Sequence, residues 1–119
     1  MNTLFEQSVT GLSAFKGLCS DIRAGRTPAV LTGLGHIHKV LLIHSLCRTL
    51  QKPAVVITGD EAEASRLQED LGAMGTPTLL LPARDLALRQ VESASHEYEQ
   101  LRLATLSRMA EGQYTCVVA

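Results

Sequence analysis

The sequence predicts an α/β fold, a parallel sheet with helices on both faces, and three observations carry that expectation. Short apolar runs recur at Ala29-Val30-Leu31-Thr32, Ala54-Val55-Val56-Ile57-Thr58, Thr78-Leu79-Leu80-Leu81 and Thr115-Cys116-Val117-Val118-Ala119. The segments between them place apolar residues three and four apart, the spacing of one helical face. Composition agrees: 45% of the 119 residues are hydrophobic, yet there are only two Phe, two Tyr and no Trp, so the interior is aliphatic rather than that of a β-sandwich or an aromatic binding platform. Strands without polar alternation suit a sheet covered on both sides, and their alternation with helices is the pattern of parallel pairing.

Phe5, Val9, Leu12, Phe15, Cys19 and Ile22 predict helix over residues 3–24, either as one piece or as two joined near Thr10-Gly11 with Ser13 as the second cap and Gly25 as the stop. The first strand follows at 29–32. Leu42, Ile43, Leu46, Cys47 and Leu50 then predict a helix over 38–51, ended before Pro53, and 54–58 the second strand. Asp60 followed by Glu63 resembles a capping box with aspartate in place of serine or threonine. Ala64, Leu67, Leu71 and Met74 continue it as a helix over 61–74. The third strand, 78–81, ends at Pro82. Residues 83–94 read as a loop with a short helical turn. Ser95 can cap a helix that runs to Glu111 and stops at Gly112, with Glu97 favourable at its positive end. The last strand is 115–119.

Gly33-Leu34-Gly35-His36-Ile37-His38-Lys39-Val40 lies between the first strand and the helix after it, the setting of a phosphate-binding loop. In G-x-x-x-x-G-K-[ST], backbone N–H groups cradle phosphates, the lysine reaches the outer ones and the hydroxyl holds magnesium. Gly33 and Lys39 fit that template. His38 stands where a glycine belongs, adding bulk and opposing a positive φ, and Val40 replaces the magnesium-holding hydroxyl. The segment therefore reads as a degenerate phosphate loop, with Gly33, Gly35, His38, Lys39 and Val40 as its marker residues and no cofactor expected. A tight turn around Gly33 and Gly35 would serve the fold equally well.

Eleven Lys and Arg against twelve Asp and Glu leave a net charge of −1, with no basic stripe of the kind that marks a nucleic-acid surface. Cys19, Cys47 and Cys116 lack the spacing of a zinc site or disulfide framework and read as buried thiols. No signal peptide and no apolar run near the roughly 20 residues of a bilayer span is present; the expected location is the cytoplasm. His36, His38 and His44 cluster without acidic neighbours, so no metal is expected and the imidazoles are read as covering the loop and helix start. Asp85, Glu92, Glu97 and Glu99 pair with no nucleophile, and no nucleophile elbow occurs, so no catalytic residue is assigned. Arg84, Arg89, Arg102 and Arg108 are read as solvated or carboxylate-paired rather than as a DNA-binding face.

Taken in order, the degenerate loop, Lys52-Pro53-Ala54-Val55-Val56-Ile57-Thr58, Arg66-Leu67-Gln68-Glu69-Asp70-Leu71, Glu99-Gln100-Leu101-Arg102-Leu103-Ala104-Thr105-Leu106 and Cys116-Val117-Val118-Ala119 resemble the N-terminal, UvrB-like region of bacterial transcription-repair coupling factors (Mfd) over residues 25–119. The same register is similar to the first helicase-like domain of UvrB, but UvrB keeps an intact loop, and His38 and Val40 favour the coupling factors. The resemblance implies a RecA/P-loop-like partial domain, similar to the first domain of UvrB: an N-terminal helical segment over 1–24, then the first part of a degenerate α/β domain over 25–119, truncated within its last strand. It further implies a noncatalytic scaffold that helps recruit UvrA and restrains a downstream ATP-dependent DNA translocase through the protein's own C-terminal domains. ATP and magnesium belong to those motor domains, as do contacts with RNA polymerase and DNA. The UvrA-contacting lobe would lie mainly beyond residue 119. The alternative function is a nucleotide-binding or ATPase domain with a divergent loop. An unrelated α/β domain would be favoured by a fold without a strand-to-helix turn at Gly33 to Lys39.

Overall fold

A computed structural model describes residues 4–83 and 92–119, with side chains described from residue 96 in the second stretch. The chain forms two compact units, Met1–Lys52 and Pro53–Ala119.

The first unit is helical: α1 (Leu4–Thr10), α2 (Ser13–Arg23) and α3 (His36–Leu50). Two helices rather than one occupy the N-terminal stretch, separated at Gly11-Leu12. Ser13 is not the cap expected of it; Leu12 holds that place in extended conformation without a side-chain bond, and Ser13 is the first helical residue. The apolar stripe is also rotated from the expected one, because α1 buries Glu6 and leaves Phe5 66% exposed. Phe15, Leu18 and Cys19 of α2 and Val40, His44, Ser45 and Cys47 of α3 are buried, and Arg23 ties the two helices by donating to the Thr49 carbonyl at 3.1 Å. Gly25 ends α2 at φ +72°, as the sequence suggests, where a side chain would be strained.

Residues 29–32 are not a strand. Val30 and Leu31 are 86% and 50% exposed. Their apolar, β-branched character sets a preference, but a strand exists only where a neighbour accepts and donates along its edge, and the three strands of the described sheet all lie within Pro53–Ala119. α3 begins at His36, two residues ahead of expectation, because Gly35 is extended and serves as its N-cap. It ends before Pro53, with Gln51 left-handed at φ 51°.

The second unit contains β1 (Ala54–Val56), α4 (Glu61–Ala73), β2 (Thr78–Leu80), α5 (Glu92–Ala110) and β3 (Cys116–Val118). The strands form a parallel sheet in the order β1-β3-β2, with Val55 and Leu79 both level with Val117. The last strand is thus the middle one. Cys116, Val117 and Val118 are at most 1% exposed, so β3 is covered on both faces, as its unbroken apolar sequence requires. The ladder extends past the strand ends through Thr58 N–H to the Ala119 carbonyl and Leu81 N–H to the Val118 carbonyl, both 2.8 Å.

α4 follows the sequence closely. Asp60 caps it by accepting from Glu63 N–H at 2.8 Å, Ala64, Leu67 and Leu71 are its buried residues, and it packs on β2 and β3. Fully burying each leucine contributes about 1.5–3 kcal/mol. α5 begins at Glu92, so Ser95 lies inside the helix instead of capping it. It docks through Thr105, whose hydroxyl donates to the Leu80 carbonyl at 3.0 Å, and through Arg102, which donates to the Pro82 carbonyl. The loop expected over 83–94 falls for the most part outside the described residues.

Candidate functional site

The glycine-rich turn and the start of α3 bring Gly33, Gly35, His38 and Lys39 together on the exposed side of the first unit. Gly33 takes φ +77°, where only glycine is unstrained. Irregular chain, not a strand, leads into it, so of the expected strand-loop-helix setting the structure forms the turn and the helix. His38 is the third residue of α3 and not a left-handed one, so the anticipated conflict with a positive φ does not arise. Its bulk acts differently. Nδ1 of His38 accepts the Gly35 N–H at 3.2 Å, which fixes the ring back across the turn with Nδ1 unprotonated.

That bond matters because the first N–H groups of a helix lack intrahelical partners and are the donors a phosphate would use. Here an imidazole of the same turn takes the Gly35 donor. Lys39 N–H donates to the Gly35 carbonyl at 3.0 Å, as in any first helical turn. Val40, next in sequence, is rotated into the core and is 0% exposed. The position that a magnesium-binding hydroxyl would occupy is therefore closed to solvent.

Beneath this turn is an apolar groove of about 330 Å³, walled by Val9, Leu12, Phe15, Leu18, Leu41 and Leu42, with His38 at its rim. A separate concavity of about 310 Å³ lies in the second unit at the carboxyl ends of the strands, between Thr58, Asp60, Glu61, Leu81, Tyr98 and Ala119. Open parallel sheets place ligands at such ends. The charge here is of the wrong sign for phosphate: Asp60 and Glu61 stand at the start of α4, and the Asp60 carboxylate already holds the Glu63 N–H. The Tyr98 hydroxyl reaches Glu61 Oε2 at 3.4 Å.

The remaining sequence candidates separate. His44 does not cover the loop; it is 2% exposed, inside the first unit. Among the described residues no three His, Cys, Asp or Glu side chains gather with metal-binding geometry. Glu97 and Glu99 are exposed, whereas Arg84, Asp85 and Arg89 lie outside the described residues. Arg102 holds a backbone carbonyl rather than a carboxylate, and Arg108 is exposed. Cys19, Cys47 and Cys116 are buried thiols outside any disulfide, and burial pushes the Cys47 thiol above its ordinary range. Among the described residues no helix is long and apolar enough to cross a membrane.

Sequence inspection missed a buried polar cluster in the first unit. Glu6 of α1 is 7% exposed and accepts Nε of Arg48 at 3.2 Å. His44 and Ser45 lie on the buried face of α3, and the Ser45 hydroxyl makes no hydrogen bond. Burial pushes the His44 imidazole below its ordinary value, with Glu6 opposing the shift and Arg48 adding to it. The available signal was the spacing of Glu6, Val9 and Thr10, which share a helical face once Phe5 is not assumed to point inward.

The fold thus defines a small α/β protein that, among the described residues, has a three-stranded parallel sheet and five helices. No protein-family model matches the chain, and no solved structure matches it. Among curated proteins it is similar to the transcription-repair-coupling factor of Bacillus subtilis (strain 168), with 26% identity over 107 residues. That alignment takes in 88% of this chain but 9% of the relative's length.

Proposed function

We propose that this chain is a noncatalytic scaffold segment of a transcription-repair coupling factor, part of a UvrB-like module that helps recruit UvrA to lesions at stalled RNA polymerase. In that role it also helps restrain a translocase carried elsewhere in the protein, where ATP and magnesium act. The observation that carries the noncatalytic part is the His38 Nδ1 bond to Gly35 N–H, by which the turn occupies one of its own anion-binding donors. The burial of Val40 supports it, since magnesium would find no ligand at that position. The similarity to the Bacillus subtilis protein supports the assignment to coupling factors. The absence of a strand before Gly33 favours an α/β domain without phosphate-loop ancestry; the similarity, running through 88% of the chain, outweighs it.

The test is a thermal-shift titration with ATP and magnesium, run on the chain and on a His38→Gly, Val40→Thr double variant. A ligand that binds only the folded state at 100 times its Kd stabilises by about 2.7 kcal/mol, so binding would be plainly visible. The expected result is no shift in the unaltered chain, with a gain in the variant marking a decayed phosphate loop. A saturable, magnesium-dependent shift in the unaltered chain, or ATP turnover that Lys39→Ala abolishes, would replace the scaffold with a divergent nucleotide-binding domain.

A further inference from the structure

α1 is seven residues long, too short to persist in water without tertiary contacts. What it buries is unusual. Glu6 is its buried residue, while Leu4 and Phe5 are 83% and 66% exposed. The attachment of α1 to α3 therefore centres on a carboxylate, held 3.2 Å from Nε of Arg48 near His44. Gly11 and Leu12 are the whole connection to α2, which is a separate helix. Helices attached by few buried apolar contacts open at the low end of a protein's local stability range, and a charged contact can be removed without altering the shape of the helix.

We infer that α1 is a latch: a short helix closed onto α3 by the Glu6 charge seated against Arg48, able to open about Gly11 while α2 and α3 stay folded. In the closed state Val9 of α1 stands in the wall of the apolar groove beside Phe15, Leu18, Leu41 and Leu42. Opening removes that wall, so access to the groove below the glycine-rich turn follows the position of α1.

The test is hydrogen exchange resolved along the intact chain, comparing it with Glu6→Gln, Glu6→Leu and Arg48→Met. Glu6→Gln and Arg48→Met each break the charge pair, and exchange in residues 8–11, whose N–H groups bond back into α1, is expected to quicken at least tenfold, with less than a twofold change in the centres of α2 and α3. Glu6→Leu removes the same charge while supplying an apolar side chain, so residues 8–11 are expected to exchange as fast as in Glu6→Gln, which separates the charge from the bulk of the side chain. Unchanged protection in Glu6→Gln would overturn the latch. So would joint loss of protection across α1, α2 and α3, which would make the pair a structural element of the whole unit, or protection in Glu6→Leu kept at the level of the unaltered chain, which would make apolar packing and not the charge the closure.

Discussion

His44 is 2% exposed, and its burial sets a pH dependence whose sign can be worked out. The folded imidazole takes up a proton less readily than its ordinary value of 6.5 would allow. Below that value the unfolded chain binds more protons than the folded one, so stability rises with pH there. The contribution is complete above about pH 6.5 and is lost as the pH falls from there towards the lower folded pKa. Urea midpoints measured between pH 7.5 and 5 should decline, and His44→Gln should flatten that decline; an equal decline in the variant would assign the effect to other groups. Val40 makes a second case. Taken alone, Val40→Thr puts a hydroxyl into an apolar site and should cost about 1–3 kcal/mol, read as a lower urea midpoint, with no magnesium-dependent stabilisation to offset it.

Elements differ in how much of them can be read locally. α4 is specified by its own residues, with Asp60 as cap and Ala64, Leu67 and Leu71 on one face. Asp60→Ala should accordingly lower stability by about 1 kcal/mol, and Leu71→Ala, at a fully buried position, by about 2–5 kcal/mol, both measurable as midpoint shifts in chemical denaturation. The second, third and last strands were legible because wholly apolar runs suit covered parallel strands. The expected strand over 29–32 has the same composition and fails, since pairing is decided by residues distant in sequence. Helix α1 shows the limit on faces: Phe5 and Glu6 are adjacent, and choosing the apolar one turned the helix by a residue. At the glycine-rich turn, the identities of His38 and Val40 were legible as departures from the phosphate-loop template. The bond from Gly35 N–H to His38 was not, because it depends on the ring folding back over the turn.

On the scale of the whole molecule, the second unit leaves the β1 side of its sheet poorly covered. Val55 and Ile57 are 67% and 83% exposed. An open strand edge beside apolar side chains favours association between copies. Sedimentation velocity should show mass rising with concentration, reduced in a Val55→Lys, Ile57→Lys double variant; a single monomeric species throughout the range would count against this. The strand order has another consequence, which appears only when the chain is considered in time. With β3 in the middle, β1 and β2 do not touch each other, and each waits on residues 116–118 for its partner. At about 5–20 residues per second, a ribosome takes on the order of seconds to pass from β2 to β3. Throughout that interval the nascent chain carries two finished apolar strands and no sheet, which makes this stretch of synthesis the period when a chaperone has most to bind.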